Sequence, residues 1–198
     1  MGLDPESEQG DRVVLEALTA TGCTTTWEPQ KDGSHVLELT APKGPLKPFD
    51  MDLNATPDLL PPLGVLAARA SGTSRFTGIA HARIKETDRI HATAQALREL
   101  GFDAHEEEDA LEVTGDPSLP LPPATIETHG DHRILMAFAV LGLTGPGPVR
   151  LKEPGCYHVS YPRFRIDLDA MGGATTVVAP QGTADKPKTP PPPPQERQ

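Results

Sequence analysis

The sequence predicts an α/β fold, of the mixed α+β kind, that is built from a repeated unit. Two segments, 11–22 and 88–101, have apolar residues three and four positions apart and end at a glycine, which is typical of a helix with a C-terminal stop. Each is followed by three short β-like runs, a second helix and a closing strand. The opening helix recurs before Gly173, so we expect roughly two and a half copies of the unit.

The expected elements follow the apolar pattern in each copy. In the first copy the three strands, the second helix and the closing strand are expected at 24–27, 35–39, 49–53, 58–70 and 74–78. In the second copy the corresponding segments are 103–105, 110–114, 125–128, 131–143 and 149–152. The third copy supplies its opening helix, ending at Gly173, and a strand at 175–178.

A unit of this size cannot bury both of its faces alone, so the copies are expected to pack against one another in one domain, residues 1–179. The alternative is chance similarity within a generic α+β chain, and the matched order of elements favours the repeat. Residues 180–198 are rich in proline and have little to bury, which predicts a disordered tail.

Composition and charge argue against several classes of protein. The 28 acidic residues outnumber the 18 basic ones, and the net charge of −10 disfavours binding to nucleic acid. No apolar run approaches the ~18 residues that a membrane span needs, and the polar N-terminus does not resemble a signal peptide. Two cysteines make neither a disulfide framework nor a metal cluster. We therefore expect a cytoplasmic protein that binds neither nucleic acid nor membranes.

The first candidate site segment is HARIKETDRI, residues 81–90. With Thr87 or Glu86 as the expected N-cap, Lys85 stands just before a helix and Arg89 lies in its first turn. Unpaired N–H groups and the helix dipole favour an anion at such an end, and an arginine can bind a carboxylate or phosphate through two hydrogen bonds. An ordinary capped surface helix with a salt bridge is the alternative.

The second candidate segment begins at Asp131, which is expected to cap a helix. His132 and Arg133 fall in the first turn of that helix, and the ten residues that follow are almost wholly apolar. A helix that is apolar all round is buried, so only its ends reach solvent. The His-Arg pair therefore either faces a ligand or solubilises one end of the helix.

The third candidate segment is 54–68, in which Asp58 stands at the start of the second helix of the first copy. A lone aspartate at a helix start is most often a cap. Because the repeat places Asp58 and the two segments above at equivalent helix ends, we expect these ends to converge on one rim. Such a rim would suit a small, multiply anionic substrate, and no metal site is expected there.

These segments carry a family resemblance. RIKETDRIHATAQALRELG and, further on, DHRILMAFAVLGL resemble the EPSP synthase (3-phosphoshikimate 1-carboxyvinyltransferase) family. GDRVVLEALTATG, FDMDLNATPDLLPPLGVLAA and SYPRFRIDLDAMGG resemble the same family in the same order, so the likeness covers residues 8–173. It implies the enolpyruvyl transferase fold, with repeated βαβαββ units, and a chain that begins inside the C-terminal domain of a two-domain enzyme.

The resemblance also implies a reaction and roles for residues. The family transfers the enolpyruvyl group of phosphoenolpyruvate to the 5-hydroxyl of shikimate 3-phosphate, in the shikimate pathway to chorismate, and uses no metal or organic cofactor. By position Asp58 matches the proton acceptor and Glu86 the proton donor. Lys85 matches a ligand of shikimate 3-phosphate. Arg89 and Arg133 match ligands of phosphoenolpyruvate, with His132 beside them.

The sequence departs from the family pattern in three ways. The N-terminal half of the family, which contributes substrate contacts, is not part of these 198 residues. Val159 stands where many members place a lysine that binds phosphoenolpyruvate, and His81 stands where some have asparagine. The expected function is thus an enolpyruvyl transfer that needs the N-terminal half, within one enzyme or as a partner chain. The alternatives are a non-catalytic remnant or split-gene subunit, and a stand-alone anion-binding module.

Overall fold

The computed structural model describes residues 4–178, in which helices and strands alternate along the chain. The helices are α1 Val14–Ala20, α2 Leu60–Ala68, α3 Arg89–Glu99, α4 His132–Gly142 and α5 Phe164–Ala170. The strands are β1 Thr24–Pro29, β2 His35–Thr40, β3 Asp50–Asp52, β4 Gly72–Thr77, β5 Asp103–Glu106, β6 Ala110–Gly115, β7 Ala124–Ile126 and β8 Val149–Leu151. Short 3₁₀ helices lie at Gly10–Val13, Pro57–Leu59, Ala80–Ile84 and Cys156–Val159.

The repeat is confirmed, and the sheets show where one unit begins. β3, α2, β4, α3, β5 and β6 form one complete βαβαββ unit, whose strands make a mixed sheet in the order β3-β4-β6-β5. β3 is parallel to β4, and the other neighbours are antiparallel. α1 and the β1–β2 hairpin correspond to the second half of such a unit, and β7, α4, β8 and α5 to the first part of another. The unit therefore begins at β3 rather than at the opening helix that the sequence suggested.

The core lies where α2, α3 and α4 pack against one another and against the central sheet. α2 is apolar almost all round, and its leucines Leu60 and Leu63 are buried. Gly64 lets α3 approach closely, because a Cβ atom there would lie 2.9 Å from Cγ2 of Thr93. Burial of one leucine side chain stabilises the fold by about 1.5–3 kcal/mol, so this junction holds the starts of α2, α3 and α4 in place.

Two helix starts differ from the expectation. α2 begins at Leu60, after the 3₁₀ turn Pro57–Leu59, rather than at Asp58, because Pro61 and Pro62 have no N–H for hydrogen bonds at the start of the helix. The N-cap of α3 is Asp88, whose Oδ1 accepts a hydrogen bond from the backbone N of His91 at 3.0 Å, and not Thr87 or Glu86. The expected cap of α4 by Asp131 is confirmed.

The prediction of a strand at residues 175–178 is wrong. These residues have no regular secondary structure, since the backbone N and Oγ1 of Thr175 both donate to Oδ1 of Asp169 and turn the chain back onto α5. The tail prediction, residues 180–198, lies outside the described residues. Within the described range no helix has the length and apolarity needed to cross a membrane.

Candidate functional site

The side chain of Arg89 joins three segments that are far apart in the sequence. Its Nε donates to Oδ2 of Asp131 at 2.7 Å, its NH1 to Oδ1 of Asp58 at 2.7 Å, and its NH2 to Oε2 of Glu86 at 2.6 Å. The guanidinium is only 1% exposed. The expected convergence of the three helix starts is therefore observed, and its centre is a buried arginine.

Besides Arg89, two further cationic side chains contact the Asp58 carboxylate. NH2 of Arg133 lies 2.9 Å from Oδ2 of Asp58, and Nζ of Lys85 lies 3.6 Å from Oδ1. Partial burial on its own would raise the pKa of the Asp58 carboxyl, but the charges of Arg133, Arg89 and Lys85 together outweigh it. The pKa of Asp58 is therefore lowered, and the group is an anion at neutral pH.

The start of α3 positions Lys85 and Glu86 for these contacts. Asp88 caps the helix with one carboxylate oxygen and binds NH1 of Arg83 with the other, at 2.7 Å. This pair holds the segment 83–89 against the helix, so that Lys85 and Glu86 project from the exposed turn before it. Glu86 precedes Arg89 by three residues in the turn that leads into α3, and this spacing allows their direct ion pair.

Asp131 is a site residue that the sequence reasoning treated only as a cap. Its Oδ1 accepts hydrogen bonds from the backbone N of Arg133 at 2.8 Å and of Ile134 at 3.4 Å. Arg89 donates to Oδ2 from Nε at 2.7 Å and more weakly to Oδ1 from NH2 at 3.4 Å. The side chain is completely buried. A residue that only caps a helix need not be buried. The burial of Asp131 depends on how the helices pack, so the sequence alone does not distinguish a simple cap from a buried partner of Arg89.

His132, His81 and Val159 take no part in the ion-pair network of the described residues. His132 opens α4 and is half-buried, and its side chain makes no hydrogen bond or ion pair with the described residues. His81 is half-buried in the 3₁₀ helix Ala80–Ile84. Val159 ends the 3₁₀ helix that packs against α4, and it is 79% exposed. Where the resemblance leads us to expect a lysine, the surface is apolar.

The formal charges in the cluster are balanced. The cations are Lys85, Arg89 and Arg133, and the carboxylates are Asp58, Glu86 and Asp131. An anionic ligand is bound by an excess of positive charge or by donors that are free to turn towards it. These six residues can therefore position a proton acceptor and a proton donor, but they offer little net charge to a multiply anionic substrate.

No group of three or more potential ligands for a metal ion occurs in residues 4–178. The chemistry that the cluster supports directly is proton transfer between carboxyl groups and a bound molecule.

Comparison with known proteins gives one consistent family. The family model for EPSP synthase (3-phosphoshikimate 1-carboxyvinyltransferase) matches residues 1–168. A 3-phosphoshikimate 1-carboxyvinyltransferase of Methanocorpusculum labreanum is 44% identical over 171 residues, which is 86% of this chain and 38% of the relative. One of Syntrophobacter fumaroxidans is 43% identical over 162 residues, 82% of this chain and 36% of the relative. The chain thus spans well under half the length of these curated relatives.

Solved structures agree with the fold. An EPSP synthase from Acinetobacter baumannii superposes with a TM-score of 0.71 at 30% identity, covering 86% of this chain and 40% of that structure. The enolpyruvyl transferase NikO from Streptomyces tendae superposes with a TM-score of 0.60 at 19% identity, covering 83% and 37%. The second likeness concerns the fold alone, and together the two confirm the enolpyruvyl transferase fold.

Proposed function

Since the chain belongs to the EPSP synthase family, we propose that it forms the C-terminal domain portion of a 3-phosphoshikimate 1-carboxyvinyltransferase. The proposed reaction transfers the enolpyruvyl group of phosphoenolpyruvate to the 5-hydroxyl of shikimate 3-phosphate and releases phosphate. The observation that carries the proposal is the convergence of Asp58 and Glu86 on the buried Arg89. It brings two carboxyl groups from separate segments to one site, as a reaction with two proton transfers requires.

The two carboxyl groups receive different roles. Asp58, whose pKa is lowered by the surrounding cations, accepts the proton of the 5-hydroxyl as its oxygen bonds to C2 of phosphoenolpyruvate. Glu86 in its protonated form donates to the methylene carbon, which becomes a methyl group. In the second step the bond from C2 to the phosphate oxygen breaks and Glu86 takes back a methyl proton. The leaving phosphate takes up the proton that Asp58 accepted, so that both carboxyl groups return to their starting states. Atoms and charges balance without a metal or an organic cofactor.

The cations bind the substrates in this proposal. Lys85 is assigned to shikimate 3-phosphate, and Arg89 and Arg133, with His132 beside them, to phosphoenolpyruvate. Each substrate carries a carboxylate and a phosphate group of about −1.5 to −2 charge at neutral pH. The balanced charge of the cluster cannot neutralise both substrates, so the remaining cations come from the part of the enzyme that these 198 residues do not include. The partner is thus an N-terminal half, within one polypeptide or as a separate chain.

A reconstitution experiment tests the proposal. The 198-residue chain is mixed with the remainder of the Methanocorpusculum labreanum relative, outside its matched 171 residues, and phosphate release is measured with both substrates. We expect turnover of about one per second or faster for the mixture, and none for either part alone. Turnover by the chain alone would contradict the half-site proposal.

A non-catalytic subunit that binds a partner chain is a second candidate, and one observation favours it. Val159 places an exposed apolar side chain where many family members have a lysine that binds phosphoenolpyruvate. This candidate predicts a stable complex with the same remainder but no phosphate release. Size-exclusion chromatography of the mixture, alongside the phosphate assay, separates the two.

A further inference from the structure

The acidic turn between β5 and β6, residues 107–109, binds the segment of chain that leads into the site. Oδ1 of Asp109 accepts a hydrogen bond from the backbone N of Ala80, and the carbonyl oxygen of Asp109 accepts one from the backbone N of Ile79 at 3.4 Å. The turn therefore anchors the start of the 3₁₀ helix Ala80–Ile84.

Near the other end of that 3₁₀ helix, Arg83 binds the same turn. Its Nε donates to the carbonyl oxygen of Glu108 at 3.0 Å, and its NH2 donates to the carbonyl oxygen of Glu107. Its NH1 donates to Oδ2 of Asp88 at 2.7 Å. Because each guanidinium nitrogen already donates to an acceptor of the chain, Arg83 joins parts of the chain to one another and is not a free cation for an anionic substrate.

The ion pair between Arg83 and Asp88 closes the base of the loop 85–87. The loop residues belong to no helix or strand, and Ile84 beside them is 85% exposed, so neither a regular element nor apolar packing fixes the loop. The ion pairs of the two charged loop residues lie at the ends of long, partly exposed side chains and hold the backbone only weakly. The position of the loop backbone thus depends on the pair at its base.

We propose that Arg83 is a positioning residue for the reaction, an inference that rests on the proposed function. By joining the β5–β6 turn to Asp88, Arg83 fixes the backbone of the loop 85–87. It thereby fixes the place at which Glu86 meets the methylene carbon of phosphoenolpyruvate, without touching the substrate itself. Such a role has a large effect on rate, because a displacement of about 1 Å at a reacting group can cost about 10²-fold.

Arg83→Met is the first variant, because it keeps the apolar stem of the side chain and removes its hydrogen-bond donors. Arg75→Met is the matched control, since Arg75 binds the same turn through the carboxylate of Glu107, at 2.8 and 2.9 Å. The two arginines are similarly exposed, and among the described residues Arg75 makes no hydrogen bond or ion pair with the loop 85–87. Asp88→Asn breaks the pair at the base of the loop from the other side and leaves Arg83 in place.

Phosphate release by the reconstituted enzyme is the first measurement. Arg83→Met and Asp88→Asn should each lower kcat about tenfold or more, whereas Arg75→Met should stay within about twofold of the parent. In the Glu86→Gln background Arg83→Met should lower kcat by no more than about twofold, because the effects of residues that act as a unit are not additive. Equal losses from Arg83→Met in both backgrounds would overturn the proposal, since a merely structural role does not depend on Glu86.

Motion of the loop in the 198-residue chain is the second measurement, and it requires no turnover. Nuclear magnetic relaxation of ¹⁵N should give backbone order parameters of about 0.85 for residues 85–87 in the parent and in Arg75→Met, and below about 0.6 in Arg83→Met. Unchanged order parameters in Arg83→Met, or equal loosening by Arg75→Met, would overturn the proposal. If the reconstituted parent shows no turnover, the proposed function fails, and the order parameters alone decide whether Arg83 fixes the loop.

Discussion

Arg89 and Asp131 are joined by a hydrogen bond of 2.7 Å between Nε and Oδ2, and both side chains are almost completely buried. The two residues lie 42 positions apart, in the first turn of α3 and at the cap of α4. The pair therefore ties the start of a helix in the third unit to one in the second. Since an unpaired charge in the interior is costly, this pair holds the two helix starts at one place.

The first prediction concerns the stability that this pair provides. Asp131→Asn keeps Oδ1 for the cap of α4 but removes the negative charge and replaces Oδ2, which accepts the short hydrogen bond from Nε of Arg89, with an NH2 group. The free energy of unfolding in urea at pH 7 should fall by about 3 kcal/mol, as expected when a buried pair is broken.

Asp88→Asn is the matched control for this prediction. Asp88 also caps a helix with one oxygen and binds an arginine with the other, but its pair with Arg83 is partly exposed. Loss of an exposed pair costs about 1 kcal/mol or less. Equal losses for Asp131→Asn and Asp88→Asn would show that burial of the Arg89 pair does not matter to the fold.

The second prediction concerns pH. The pKa of Asp58 is lowered from its usual 3.8 in the folded chain, so the ionised carboxylate stabilises the fold above that value, and the contribution disappears as the pH falls through the folded-state pKa. The difference in unfolding free energy between the parent and Asp58→Asn should therefore shrink below about pH 4. A difference that stays constant from pH 6 to pH 2 would contradict the ion-pair assignment.

The third prediction concerns Val159. If the site binds phosphoenolpyruvate, Val159→Lys adds a positive charge where the family commonly has one. The KM for phosphoenolpyruvate of the reconstituted enzyme should fall about tenfold, the effect of one charge-assisted hydrogen bond. Val36→Lys adds the same charge on β2, which contributes no residue to the ion-pair cluster, and should leave KM unchanged. Equal responses would mean that only net charge matters.

The fourth prediction separates the two substrates. Lys85→Ala should weaken binding of shikimate 3-phosphate to the reconstituted enzyme by about 1.5–3 kcal/mol, through loss of a charged hydrogen bond. Arg133→Ala should instead raise the KM for phosphoenolpyruvate. Steady-state kinetics with each substrate varied in turn provide the measurement. If both variants impair the same substrate, the division of roles proposed here is wrong.

The sequence predicts where helices start better than it predicts which side chains the residues at those starts contact. Asp131 before a long apolar run identifies the cap of α4, because capping is a local interaction. Its pairing with Arg89 depends on how two units pack, which no local pattern encodes. Similarly, Glu86 resembles a cap for α3, but its side chain binds Arg89 and leaves the capping position to Asp88.

The C-terminal end shows the same limit for strands. Residues 175–178 are threonines and valines, which favour strands, yet a strand exists only where an edge is available to pair with it. Asp169 binds the backbone N and the hydroxyl of Thr175, so the chain turns back on α5. In contrast β1 and β2 were predicted well, because a hairpin supplies its own partner.

The most direct test of the proposed chemistry is turnover by Glu86→Gln in the reconstituted enzyme. Glutamine keeps the shape of the side chain but cannot pass a proton to and from the methylene carbon. We predict that phosphate release falls by about 10²–10⁴, the usual size of a general acid–base contribution, while binding of shikimate 3-phosphate and the thermal midpoint barely change. Turnover within threefold of the parent would contradict the catalytic role of Glu86.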